Sequence, residues 1–409
     1  MRKFTIKLIK PLSCIMILIF LLFLSTLIPA ALTNRNLKDS YEIACTENNQ
    51  INVMGAVYKK DFNADAVEIN IMMHDSEKKL DGVLKAPHYG CETQQYLSQL
   101  ASYLNGDSTQ RHEYIQYWHG YRILWKPLLV FFNITGIRIF YFIIMIFILC
   151  YTIHLMIKKK DMYLAAIYAI GNIVFLLNAA ISLEYIPIAL ITQIGALIVY
   201  KKDNIDWTLL SILGICTAFF DFLTAETLTF TIPCFMLLYK NQITIKKILK
   251  YGITWFISYV GTFGIKYLLL SIVYKRNYFS LSRQIYSEHL GNFSIENKFS
   301  AITTNINTAF NINGFHSNTI TIIAFLIVII LLYLIRNPSL NYNTIFSGII
   351  LFVLPYARYM VLLKHSITLC TFTFRAQMIS FLIILYFFKD NILVSKAKNR
   401  RNYNGKATI

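Results

Sequence analysis

Long apolar runs alternate with short polar links along most of this chain, a pattern that predicts membrane-spanning helices rather than a water-soluble core. The first run extends from Pro11 to about Leu32, after the basic start MRKFTIKLIK. Others lie near 128–157, 162–180, 185–200, 206–222, 226–239, 251–273, 318–335, 344–362 and 367–388. Together they predict about ten transmembrane helices, although the pair 206–222 and 226–239 falls short of the roughly 20 residues a straight span takes. The first run resembles a signal peptide, with Ala30 and Ala31 near its end. Its apolar part exceeds the roughly 7–15 residues of a signal h-region, so it reads as a retained anchor.

The expected fold class is therefore an all-α integral membrane protein with a long first external loop containing short helices. Residues 1–32 are the cytoplasmic N-terminus and first helix, and 33–126 the first external loop. Helices two to seven occupy 127–273, a second external loop 274–317, the last three helices 318–388, and a basic cytoplasmic tail 389–409. No repeat at a solenoid period is present.

Charge fixes the orientation. The chain carries 39 Lys and Arg against 21 Asp and Glu, a net +18 that would suit a nucleic-acid binder if evenly spread. It is not evenly spread: the segments read as cytoplasmic hold 20 basic and 4 acidic residues, and the remainder 19 and 17. That bias is the positive-inside pattern; it leaves no nucleic acid to invoke and places both termini in the cytoplasm of a multi-pass cell-membrane protein. Fifteen per cent of residues are charged, against about 25% in an average soluble protein, which argues against a soluble enzyme. Seven cysteines are too few and too scattered for a disulfide scaffold or a zinc site. Cys45 and Cys91 share the first external loop, where oxidation would allow them to pair.

Several polar residues are candidates for chemistry. Asp61, Asp65 and Glu68 stand at i, i+4 and i+7, so on a helix they share one face. Carboxylates that close raise one another's pKa and make one of them a general base near neutral pH; the plainer reading is a solvated face. Tyr117-Trp118-His119-Gly120-Tyr121-Arg122 precedes the second span, either as an interfacial aromatic belt or with His119 as a proton carrier. Glu184, Asp221 and Glu226 lie at span ends, and Arg358, Lys364, His365 and Arg375 flank or enter the last two spans. Arg375 lies about eight residues into its span, roughly 12 Å at 1.5 Å per residue. A charge at such depth costs about 2.5–3.5 kcal/mol on insertion scales and calls for a partner or a polar cavity. The basic group would suit a phosphate, which Arg grips by bidentate donation.

Four ordered stretches resemble those of bacterial GT-C-type membrane glycosyltransferases, in a group found among cell-surface polysaccharide and teichoic-acid genes. Asp61-Phe-Asn-Ala-Asp65-Ala-Val-Glu-Ile-Asn resembles a D-N-x-T-D-x-x-M-L-N stretch. Tyr117-Trp118-His119-Gly120-Tyr121 with Lys126-Pro127-Leu128-Leu129 resembles Y-W-H-G-Y…K-P-L-L. Phe220-Asp221-Phe222-Leu223-Thr224 resembles F-D-x-L-T, and His365-Ser366 with Phe372-Thr373-Phe374-Arg375 resembles N-H-S-x-x-H-x-x-F-T-Y-R. The chain departs at Asn63, Ala64 and Glu68, at Lys364 in place of Asn, and at Leu369 in place of the second His.

The resemblance implies a GT-C-like fold acting at the outer face on a polyprenyl-phosphate sugar donor and a glycopolymer or lipid-linked acceptor. It implies Asp65 or Asp61 as the catalytic base, and Arg375 with His365 and Arg358 binding the departing lipid phosphate. Glu68, His119, Lys126 and Asp221 are further candidates for binding substrate. No cofactor and no metal is called for. The alternatives are a lipid-linked oligosaccharide flippase or transporter, a polysaccharide polymerase, and a degenerate accessory subunit.

Overall fold

A computed structural model describes residues 2–46, 50–53, 56–59, 61–75, 77–91, 95–202, 205–290, 294–312 and 342–388. The expected span 318–335 and the basic tail 389–409 lie outside the described residues. The chain opens with helix α1 (Arg2–Thr26), and after a break at Pro29 a second helix, α2 (Ala30–Thr46), begins the polar segment.

That segment folds into an ordered unit rather than a loop of helices alone. Two antiparallel hairpins are present, β1 (Gln50–Val53) with β2 (Ala56–Lys59), and β3 (Pro87–Gly90) with β4 (Gln110–Glu113). The second hairpin packs against α3 (Phe62–His74) and α5 (Tyr96–Leu104), and the segment also contains α4 (Lys79–Lys85) and α6 (Tyr121–Trp125). Strands of four residues are too short to show an alternation of side chains against a helical background. Cys45 and Cys91 are separate free thiols.

α3 is the centre of this unit and is buried on every side from Asp65 to His74. Ala66, Ile69 and Met72 join the main hydrophobic core, whereas Val67 and Ile71 pack with Ala86 in a small separate cluster. The reading of its acidic residues as a solvated face therefore does not hold. Its polar side chains are fasteners: Asn70 donates to the Tyr89 carbonyl at 2.7 Å and accepts from the Tyr89 N–H at 3.0 Å, pinning β3. The Asn63 side chain accepts from the Leu97 N–H at 3.1 Å, pinning the start of α5. At the far end Asp75, fully buried, pairs with Lys126 and with Arg122 at 3.4 Å. Arg122 also donates to the Gly82 carbonyl at 2.6 Å. Lys126, a substrate-binding candidate, is thus part of a buried ion triad that ties α3 to α6.

The apolar part comprises α7 (Ile134–Lys158), α8 (Met162–Ile181), α9 (Ile186–Lys201), α10 (Trp207–Phe220), α11 (Leu228–Tyr239) and α12 (Ile245–Tyr274). It continues with α13 (Tyr278–Leu290), α14 (Ile295–Ile312), α15 (Tyr342–Val361), α16 (Leu363–Thr368) and α17 (Cys370–Phe388). Among the described residues seven helices are long and apolar enough to cross a membrane: α1, α7, α8, α9, α12, α15 and α17. They make the chain a multi-pass, mostly helical membrane protein. α10 and α11 are shorter, at 14 and 12 residues, and all twelve residues of α11 are buried among other helices. Phe20, Phe147, Ile253 and Ile257 are examples of large apolar side chains that face outward, as a bilayer permits.

α12 joins the two parts. Its 30 residues extend about 45 Å at 1.5 Å per residue, beyond a hydrocarbon core of ~30 Å. α10 lies close against its middle, where a Cβ on Gly214 would come within 2.4 Å of the Trp255 carbonyl oxygen. Near its end, Trp118 donates its indole N–H to the Thr262 carbonyl at 2.9 Å and Tyr267 donates to the Gln116 carbonyl at 3.2 Å. Lys266, fully buried, donates to the Tyr117 carbonyl. Tyr274 reaches Asp81 of α4 at 2.6 Å.

Removing one member of a buried ion group leaves the others uncompensated, at a cost of about 3–5 kcal/mol. Asp75→Ala is therefore expected to lower the melting temperature of the purified protein strongly and to make residues 61–126 protease-sensitive; an unchanged melt would refute the fastening role.

Candidate functional site

Two cavities lie on either side of one turn. The turn, residues 221–227, links α10 to α11, and its conformation is fixed by its own polar groups. Asp221 accepts from the Thr224 N–H at 3.2 Å and from the Thr224 hydroxyl at 2.5 Å. Leu223 adopts a left-handed φ of 63°, which a branched side chain rarely takes. Arg358 of α15 holds it there, donating to the Leu223 carbonyl and to Glu226 at 2.8 Å, and also to Ser366 at 3.0 Å.

Phe222 faces the smaller cavity, of about 150 Å³. Six chain segments converge on it: Asp61, Ala64 and Glu68 at the start of α3, Tyr96, Tyr114 with His119, Glu184, Phe222, and Leu369 with Phe372. Leu223, Glu226 and Thr227 face the larger one, of about 730 Å³. Its walls are mostly apolar and come chiefly from α12 and α15, with Phe230 of α11 and Tyr286 of α13. Polar groups gather at the Arg358–Glu226 pair, where the Thr227 and Tyr259 hydroxyls have no hydrogen-bond partner.

The Y-W-H-G-Y stretch and the F-D-x-L-T turn are in direct contact. The Gly120 N–H donates to the Phe219 carbonyl at 3.0 Å. A Cβ at Gly120 would lie 2.5 Å from that oxygen, so only glycine allows the approach. Trp118 stacks on Phe219 with ring centroids 5.0 Å apart, and Tyr117, His119 and Tyr121 surround Phe222 at 4.9, 5.4 and 5.4 Å. His119, itself at a left-handed φ of 56°, bonds the Tyr114 carbonyl through Nε2 at 2.8 Å. That partner makes Nε2 the protonated nitrogen and leaves Nδ1 as an acceptor. Burial, aided by Lys266 and Arg122, holds its pKa well below the usual histidine range, so the ring is neutral.

The three acidic residues of α3 part company. Asp61 is its N-cap, accepting from the Ala64 N–H at 2.9 Å, and lines the small cavity. Asp65 turns away into an ion pair with Arg138, and also accepts from the Leu183 N–H at 3.1 Å and the Ser182 hydroxyl at 3.4 Å. Glu68, 2% exposed, lines the cavity with neither carboxylate oxygen hydrogen-bonded. Glu184 stands across from it with Oε2 likewise unpaired. Burial first, then the nearby carboxylates of Asp65, Glu184 and Asp61, push the Glu68 pKa well above the ordinary range. Burial raises that of Asp61 as well, partly offset by the Ala64 N–H, with Asp65 adding to the rise.

Arg358 and Arg375, two of the basic residues expected to grip phosphate, are each engaged by protein groups. Arg358 lines the large cavity, paired with Glu226. Arg375 donates to Asn178 at 2.9 Å and the Thr371 carbonyl at 2.9 Å, and lies over the Tyr185 ring. His365 is buried in α16, and it, Arg375, Lys126, Asp65 and Asp221 line neither cavity. Among the described residues no Lys or Arg lines the small cavity, and no group of three His, Cys, Asp or Glu is arranged to hold a metal ion. Sequence reasoning missed Arg138, Lys266 and Asp75; for Arg138 and Lys266 the signal was a charge inside an apolar run. Comparison with protein-family models, with curated proteins and with solved structures gives no match to this chain.

A carboxyl whose folded pKa lies above its unfolded value of about 4.3 favours the folded state fully below that value and loses this contribution as pH rises to the folded pKa. Glu68→Gln removes the charge and keeps the shape. It is expected to raise the melting temperature at neutral pH and to lessen the wild type's loss of stability above the ordinary carboxylate range. Parallel melting curves against pH for both proteins would argue against an unpaired carboxylate.

Proposed function

We propose that the chain is a GT-C-type membrane glycosyltransferase with about ten spans and both termini in the cytoplasm. It transfers a sugar from a polyprenyl-phosphate-linked donor to a cell-envelope polysaccharide or glycopolymer on the outer face. The observation that carries this reading is the pairing of an acid-lined polar cavity with a large apolar cavity across the 221–227 turn. A lipid-linked sugar needs both environments within one molecule's reach.

In this reading the lipid lies along the apolar walls of α12 and α15, and the donor phosphate sits at their polar end, beside Arg358 and the unpaired hydroxyls of Thr227 and Tyr259. Asp61 is the base and Asp65 a positioning residue, because Asp65 is committed to Arg138 while Asp61 lines the cavity. Asp61 takes the acceptor hydroxyl's proton as that oxygen bonds the anomeric carbon. The bond from that carbon to the phosphate oxygen breaks, its electron pair leaving with the phosphate, and the configuration inverts. The aromatic walls exclude competing water. His119, neutral and acceptor-only at Nδ1, orients a sugar hydroxyl.

The test is the sugar composition of the cell envelope in a strain lacking the protein, complemented with wild type or with Asp61→Asn. One sugar is expected to vanish and to return with wild type alone. In a transfer assay Asp61→Asn is expected to lose activity by about 10²–10⁴-fold. Wild-type activity, which needs the deprotonated base, falls as pH drops through a pKa above the usual aspartate range, and the variant lacks that limb. Full restoration by Asp61→Asn defeats the base assignment; no sugar change in the deletion defeats the function.

A further inference from the structure

The small cavity has an unbalanced electrostatic character. Three carboxyl groups line it, those of Asp61, Glu68 and Glu184, and among the described residues no Lys or Arg does. Glu68 is almost wholly buried, with both oxygens unpartnered, and Glu184 keeps one oxygen unpartnered. Burying a polar group without a partner costs several kcal/mol, a cost that protonation lessens and that a cationic ligand would remove. A phosphate would meet carboxyl oxygens and no Lys or Arg among the described lining residues, so it is disfavoured as the occupant. A metal ion is disfavoured because the acidic groups are not arranged to ligate one.

An organic ammonium fits. It supplies the missing charge and three N–H donors that can be shared among carboxylates. Tyr96, Tyr114, Phe222 and Phe372 line the same space, and aromatic rings attract cations at their faces. At about 150 Å³ the cavity suits one sugar unit rather than an oligosaccharide.

We propose that the small cavity binds a sugar unit bearing a free primary amine, with Glu68 as the main partner of the ammonium and Asp61 and Glu184 completing its surroundings. This rests on reading the cavity as the sugar site of a transferase. Specificity follows from the chemistry. An N-acetylated sugar brings no charge and adds bulk, and a plain hexose leaves Glu68 facing a hydroxyl, so both bind less well than the amine.

The experiment is calorimetric titration of the full-length protein in lipid nanodiscs with glucosamine, N-acetylglucosamine and glucose. Glucosamine is expected to bind roughly tenfold or more tightly than either neutral sugar, a difference of about 1.4 kcal/mol. Glu68→Gln is expected to erase that preference. Leu369→Lys, which introduces a permanent ammonium at the cavity wall, is expected to erase it too while raising the melting temperature. Equal binding of the three sugars, no binding of glucosamine up to its solubility, or an unchanged preference in both variants overturns the proposal. Because binding is read rather than transfer, the two readings fail separately. An amine preference with no envelope change removes the transferase and keeps the site. A missing neutral sugar with no amine preference does the reverse.

Discussion

Buried positive charge holds this protein together. An ion removed from water costs several kcal/mol unless it is paired and hydrogen-bonded, so each buried cation dictates which segments must meet. Arg122 and Lys126 draw Asp75 to α6, and Arg138 draws Asp65 to α7. Lys266 fastens the backbone at Tyr117 to α12, Arg358 fastens the 221–227 turn to α15, and Arg375 fastens α17 to Asn178. These contacts involve segments from Asp65 to Arg375. They also decide what is left over: with the cations engaged in architecture, the unpaired charged groups around the small cavity are carboxylates.

Strain collects at the same place. His119 and Leu223 both hold left-handed backbone conformations that cost on the order of 1–3 kcal/mol each, and both flank Phe222 in sequence or in space. Such conformations persist when the surroundings over-determine them. Here Gly120 on Phe219, Thr224 on Asp221 and Arg358 on the Leu223 carbonyl do so. The wall between the cavities is therefore held by several independent contacts, and a ligand reaching past it meets two different environments.

Much of the helical framework was legible in the sequence. The apolar run expected at 128–157 is largely the helix Ile134–Lys158, and the short pair around 206–239 is two buried helices broken at the expected turn. Periodicity could not supply the rest. The spacing of Asp61, Asp65 and Glu68 predicted a shared face, but Asp61 precedes the helix as its cap and Asp65 is pulled aside by Arg138. The Y-W-H-G-Y and F-D-x-L-T stretches were visible as motifs. Their contact was not, because it depends on a glycine meeting a carbonyl far along the chain. The partners of Arg358 and Arg375 were hidden for a related reason: sequence gives the position of an arginine but not which carboxylate or carbonyl reaches it first.

The anchoring of the polar segment on α12 bears on how the chain is made. Trp118 bonds a carbonyl 144 residues later in the sequence, and Lys266 returns across 149 to Tyr117. During synthesis the segment that ends at α6 therefore exists well before the helix that completes it. It must wait through the insertion of five intervening helices with Trp118 and Tyr117 unsheltered and the Asp65 partner arriving only with α7. Contacts of such separation are slow to form, and a half-built chain is exposed to misassembly and degradation in the interval. The buried ion triad of Asp75, Arg122 and Lys126 is the local exception, closing within the segment itself, and would give it a provisional shape until α12 emerges.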